Sequence, residues 1–141
     1  MDANELANRV AHDMRAGEGT GQAWGITIEE ARERYVRVSM AVRPDMLNSH
    51  GIAHGGMIFA LADTAFAYVC NGTNHASVAA QASIIFLDKV TVGETLVAEA
   101  EEVVREGRAG VTRVAVRTAD GRAIAEFTGY SRTIGGAIVS G

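Results

Sequence analysis

Apolar residues recur at helical spacing near the start of the chain and again between Gly55 and Cys70, and elsewhere they tend to alternate with polar ones. Leu6, Val10 and Met14 mark one face of a short amphipathic helix that ends near Gly17. The following "GEGTGQ" has the glycine content of a phosphate loop, but no strand pattern precedes it and no Gly-Lys-Ser or Gly-Lys-Thr closes it, so it is expected to be a flexible connector. From Ala23 the pattern changes: "AWGITIEEARERYVRVSMAV" predicts two strands joined by a charged turn, with Tyr35, Val36, Val38 and Met40 as β-type residues. Pro44 and Asp45 stop the second strand, and "NSHGIAHGG" leads irregularly into a helix from about Gly55 to Cys70, which breaks at "NGTN".

Four strand-like runs follow: "SVAAQASIIFL", "ETLVAEAEEVVREG", "AGVTRVAVRTA" and "RAIAEFTGYSRTI". Turns at Asp88 to Gly93, Gly107 to Arg108 and Asp120-Gly121 separate them, the Asp-Gly pair being a hairpin signal. "VVREGRAGV" also fits the end of a helix. In the third run Thr112, Val114, Val116 and Thr118 form a more apolar face, and Val111, Arg113, Ala115 and Arg117 a polar one, as in an antiparallel sheet covered on one side. The closing "GGAIVSG" is expected to fray.

The central helix lacks a polar face: Ile58, Phe59, Leu61, Ala62, Ala65, Phe66 and Val69 occupy most of its circumference, so it must be surrounded. A sheet curling around it covers part, and a second copy of the chain would cover the rest. The expected class is α+β, an antiparallel sheet wrapped around one long helix. Residues 1–20 are an N-terminal helix and connector, 21–135 the domain and 136–141 a tail.

Composition narrows the function classes. The 141 residues suit one domain, and 48% hydrophobic with 21% charged residues at net charge −4 gives no reason to expect nucleic acid as a partner. Cys70 is the only cysteine, so no intramolecular disulfide forms, which fits a reducing compartment. The charged N-terminus lacks the apolar block of a signal peptide, and Gly55–Cys70 is too short to span a bilayer, so a cytoplasmic protein without membrane contact is expected.

Chemistry concentrates in the helix. Asp63 is the only formally charged side chain between Asp45 and Asp88, and an ionised group on a buried helix is costly unless it has a partner or a purpose. Gly55 and Gly56, at the helix start, leave backbone N–H groups free at the positive end of the dipole, where they can stabilise an oxyanion. Eight residues at about 1.5 Å each put Asp63 roughly 12 Å from Gly55, too far for both to serve one carbonyl. Two antiparallel helices across a two-fold axis bring the Asp63 of one copy beside the Gly55 of the other. The alternative is a buried carboxylate paired with an arginine from a strand.

These residues carry a resemblance. "NSHGIAHGGMIFALADTAFAY" is similar to the signature of hotdog-fold acyl-CoA thioesterases of the PaaI-type, phenylacetate-degradation branch, with an acid nine residues after the His of His-Gly-Gly and an Asn six before it. The strand order and "GETLVAEAE" to "RTADGRAIAEFTGYSRTIG" extend the likeness over nearly the whole chain after the first twenty or so residues. It implies hydrolysis of an aromatic acyl-CoA to acid and CoA: the Gly55 N–H would hold the thioester carbonyl, His54 would shape the turn, and Asp63 of the other subunit would activate water or attack directly. Asn48 would position carbonyl or water, and Thr64 would hold the substrate or the attacking water. It further implies dimers that pair into homotetramers, and no cofactor beyond the CoA of the substrate. Gly56 and the apolar side chains of Met57, Phe59, Phe66 and Phe86 are candidates for the substrate tunnel, and a fatty acyl-CoA is the alternative substrate; a non-catalytic acyl-CoA binding module is the other. Asp88-Lys89-Val90 departs from the basic residue and proline that many relatives have there.

Other candidates are weaker. His50 and His54 stand four apart, but Gly51, Gly55 and Gly56 disfavour a helix through both and no third ligand is evident, so no metal is expected. His12 and His75 suit the surface, Cys70 and Trp24 suit packing, and no G-x-S-x-G motif is present. Arg113, Arg117 and Arg132 could hold CoA phosphates or simply solvate a sheet face.

Overall fold

The computed structural model describes residues 1–140. Helix α1 (Ala3–Gly17) starts at a capping box: Asp2 accepts the Glu5 N–H and the Glu5 carboxylate accepts the Asp2 N–H. Its buried face is Ala7, Val10 and Ala11, so Val10 lies inside while Leu6 and Met14 flank the stripe half-buried. The expected connector is instead a second helix, α2 (Gly19–Trp24). Tertiary contacts outweigh its two glycines and connector composition: the Tyr68 hydroxyl donates to Glu18, Arg15 Nε donates to the Ile26 carbonyl at 2.8 Å, and Trp24 packs on the core.

Strands β1 (Thr27–Arg32) and β2 (Tyr35–Ala41) form the anticipated hairpin, and a 3₁₀ turn at Pro44–Met46 ends the run. Helix α3 (Gly55–Cys70) then precedes β3 (Ser77–Phe86), β4 (Thr95–Glu106), β5 (Ala109–Thr118) and β6 (Ala123–Thr133). All pair antiparallel in one six-stranded sheet of order β1-β2-β4-β5-β6-β3, so the chain leaving α3 crosses to the far edge. "VVREGRAGV" is a hairpin rather than a helix end: Gly107 at φ 59° makes the turn, and Val104, Arg105 and Glu106 face Val111, Gly110 and Ala109.

The sheet curls over α3, whose Leu61, Ala62, Ala65 and Tyr68 are wholly buried against Val38, Leu96, Ala98, Ala100 and Val116. The inner face of β5 is the predicted one, Thr112, Val114, Val116 and Thr118, and Arg113 and Arg117 point outward to solvent. Edge strand β3 is less covered: Ala82 and Ile84 are half-buried, and Ile85 and Phe86 are exposed. Nor does the tail fray over residues 138–139. Asn74 Oδ1 accepts the N–H groups of Ile138 at 2.8 Å and Val139 at 2.9 Å, its Nδ2 donates back to the Val139 carbonyl, and Val139 is buried.

Candidate active site

The approach to α3 is shaped by Asn48. Its Oδ1 accepts the N–H groups of His50 (2.9 Å) and Ile52 (3.3 Å), and its own N–H donates to the Ile52 carbonyl. This closes a tight loop through Gly51, at φ 78°, and leaves Asn48 Nδ2 without a protein acceptor among the described residues. His54 N–H donates to the Met46 carbonyl at 2.8 Å, which sets the direction in which the helix starts.

His54 is the N-cap, and its Nδ1 accepts the Gly56 N–H at 2.8 Å. The Met57 N–H donates to the His54 carbonyl. The expected pair of free donors is therefore one: Gly56 is engaged by the cap, and only the Gly55 N–H, among the described residues, is left without an acceptor in this first turn. Gly55 lines a cavity of about 420 Å³ together with Asn48, Ile52, Ala53, Ile58, Phe86, Leu87, Asp88 and Lys89. Sequence patterning did not assign the wall opposite Gly55 to Phe86. A Cβ on Gly55 would meet the Phe86 ring tip at 3.0 Å, so the aromatic ring rests directly on the glycine.

The wall after β3 is fixed from afar. Arg122, at the β5–β6 turn, donates to Asp88 Oδ2 at 2.8 Å, to the Lys89 carbonyl at 2.7 Å and to Glu94 Oε1 at 2.5 Å. Hydrogen bonds to this guanidinium hold the Asp88 carboxyl below the usual range, and Glu94 is held low chiefly by the Thr91 N–H and then by Arg122. A partner 34 residues away leaves no signal in a single sequence.

Asp63 sits two turns along α3, half-buried, with no hydrogen bond or ion pair to any described residue. No arginine among the described residues of the same chain pairs with it. Burial alone pushes its pKa above the ordinary Asp value. It does not line the Gly55 cavity of its own chain. Thr64 is buried, and its hydroxyl donates to the Ala60 carbonyl at 2.7 Å, one turn back in its own helix. Met57 and Phe59 are half-buried against the core, with Phe59 edge-on to Phe127 at 5.3 Å. Arg113, Arg117 and Arg132 stand exposed on the sheet, remote from these groups in the same chain; Arg113 faces Glu126 at 3.7 Å. Cys70 is buried, which pushes its thiol up to about 12.

The sheet wrapped on a helix, and a glycine donor and lone carboxylate on that helix, define a class that the comparisons with known proteins identify. The sequence profile described as "Thioesterase superfamily" matches residues 50–125, which include Gly55 and Asp63. The chain belongs to this superfamily and is a thioester hydrolase of the hotdog fold. Its particular likeness is to PaaI: it is 39% identical over 128 residues, 91% of each chain, to the acyl-coenzyme A thioesterase PaaI of Escherichia coli K12. The solved structure of E. coli PaaI, from the phenylacetic acid degradation operon, superposes with a TM-score of 0.94 over 96% of this chain and 99% of that one, at 37% identity. A hypothetical thioesterase protein of Streptococcus pneumoniae solved with coenzyme A superposes with a TM-score of 0.77 at 28% identity, over 79% of this chain and 90% of that one.

Proposed function

We propose that the protein hydrolyses an arylacetyl-CoA thioester, with phenylacetyl-CoA or a ring-hydroxylated form as substrate, to the free acid and CoA. The observation that carries this reading is the pairing of two unpartnered groups on one helix: the Gly55 N–H, a donor without an acceptor, and Asp63, a desolvated carboxylate without a cation. The aromatic acyl group rests on the likeness to PaaI.

In the proposed reaction the thioester carbonyl accepts the Gly55 N–H at the positive end of α3, with Asn48 Nδ2 as a second donor. Asp63 of a second copy takes a proton from water, whose oxygen attacks the carbonyl carbon. The oxyanion is held at Gly55, and its collapse expels the CoA thiolate, which receives the proton. Burial makes Asp63 a stronger base than a solvated carboxylate. A thiolate leaves readily, so a donor and a base suffice without a cofactor. His54 acts by fixing the first turn, and Thr64, its proton committed to Ala60, supplies only acceptor lone pairs to water or substrate.

Two copies are proposed to pair edge to edge through β3, where Val78 and Ile85 are exposed, with the α3 helices side by side and antiparallel. Two such dimers form the tetramer, in which Arg113, Arg117 and Arg132 contact the nucleotide of a thioester bound to a neighbouring copy. No helix among the described residues is long and apolar enough to cross a membrane. The proposed setting is the cytoplasm.

The test is CoA release from phenylacetyl-CoA and octanoyl-CoA by wild type and Asp63→Asn. Loss of about two orders of magnitude in kcat with substrate binding retained is expected for a removed general base. A variant that keeps activity within about threefold would take Asp63 out of the chemistry.

A further inference from the structure

We propose that Phe86 sorts acyl groups at this site, favouring an aryl ring one methylene away from the thioester carbonyl; the inference rests on the proposed function above. Phe86 is the one aromatic side chain lining the cavity that holds Gly55, among aliphatic neighbours Ile52, Ala53, Ile58 and Leu87. It is half exposed, at 50%, although it lies on the strand face turned toward α3, so part of its ring is free to meet a ligand. The ring tip lies 3.0 Å from the point where a Gly55 Cβ would be, and its two adjacent carbons lie at 3.4 and 3.5 Å. The ring therefore points end-on at the backbone that would bind the carbonyl.

Substrate geometry makes this position selective. In an arylacetyl thioester the ring is joined to the carbonyl by a single methylene, so a carbonyl held at Gly55 keeps its aryl ring within a few ångströms of Phe86. Aromatic pairs attract edge-to-face or offset, at centroid separations of about 4.5–7 Å. A straight acyl chain offers the same ring only two or three methylenes and carries the rest of its apolar surface onward. The discrimination leaves the oxyanion donor unchanged. Phe86 is anchored through its backbone on β6: it pairs with Ala125, and the next residue, Leu87, donates its N–H to the Ile124 carbonyl at 2.8 Å.

The experiment compares kcat/KM for phenylacetyl-CoA and octanoyl-CoA in wild type, Phe86→Leu and Phe86→Tyr, each checked for an unchanged melting temperature. The expected result is a phenylacetyl-to-octanoyl ratio reduced about two- to tenfold in the leucine variant, the range of an aromatic pair, and kept in the tyrosine variant. Should the leucine variant not fold, Phe86→Met is read in the same way. An active wild type whose ratio is the same in every variant overturns the role of Phe86 alone. A wild type inert on both thioesters overturns the proposed function, and this inference with it.

Discussion

His54 Nδ1 accepts the Gly56 N–H at 2.8 Å, and this one bond decides which backbone donor at the start of α3 stays free. A Cβ on Gly56 would lie 2.9 Å from the same nitrogen, so the second glycine of the pair is there to let the cap form. The first glycine is the donor.

An N-cap side chain is worth about 1 kcal/mol, and asparagine caps well where alanine does not. His54→Ala is therefore expected to lower the melting temperature by about 3–5 °C. It should also reduce turnover, because a frayed first turn misplaces the Gly55 N–H. His54→Asn should restore both. Calorimetry and CoA-release assays check this; an alanine variant with wild-type melting and turnover would remove the cap from the mechanism.

The raised pKa of Asp63 has a definite sign in stability. Its folded-state pKa exceeds its unfolded value, so burial opposes the ionised form: the contribution is favourable below the unfolded pKa and is lost as pH rises through the folded one. At pH 7 Asp63→Asn should consequently melt higher than wild type, with the gap closing as pH falls toward the carboxylate range. The same shift puts the acid limb of kcat/KM above the ordinary Asp value of 3.8. Melting curves and rate profiles between pH 4 and pH 8 read both; an asparagine variant that melts lower at pH 7 would mean that the carboxylate has a partner.

Gly129 on β6 faces the end of the Phe66 ring, and a Cβ there would lie 2.8 Å from three ring carbons. Phe66 is 1% exposed and packs on Phe127, so the ring has nowhere to go. Gly129→Ala should destabilise by about 1–3 kcal/mol, the usual range for overpacking. Adding Phe66→Leu should recover part of that loss, and a double-mutant cycle in denaturant gives the coupling. Strict additivity of the two changes would show that ring and glycine do not press on each other.

Periodicity made the four later strands and the β5 core face legible, because alternation marks a sheet buried on one face, and an almost unbroken apolar run made the long, surrounded helix legible. The "NSHGIAHGGMIFALADTAFAY" stretch made Gly55 and Asp63 legible, because a carboxylate amid apolar residues needs a reason. What patterning missed depends on contacts between distant residues. Helix α2 forms in a glycine-rich segment because Glu18 meets Tyr68 fifty residues on, and the tail is held because one asparagine, Asn74, supplies both donor and acceptor to its backbone. Phe86 was one of four apolar tunnel candidates, and nothing in its spacing set it apart from the others or placed its ring against Gly55. The free Gly56 donor expected from sequence was lost to a side chain two residues away, a detail of rotamer that composition does not contain.

In the proposed dimer the lone donor and the lone carboxylate of α3 serve different sites, which has a genetic meaning. If each site draws Asp63 from one chain and Gly55 from the other, a chain lacking only Asp63 and a chain lacking only the Gly55 donor geometry are both dead alone but can rescue each other. Half of the dimers in an equal, randomly reassorted mixture are mixed, and each mixed dimer has one intact site, so such a mixture of Asp63→Asn and Gly55→Pro should regain up to about a quarter of the wild-type sites per dimer. Two inactive alleles of this one gene would then complement in the same cell.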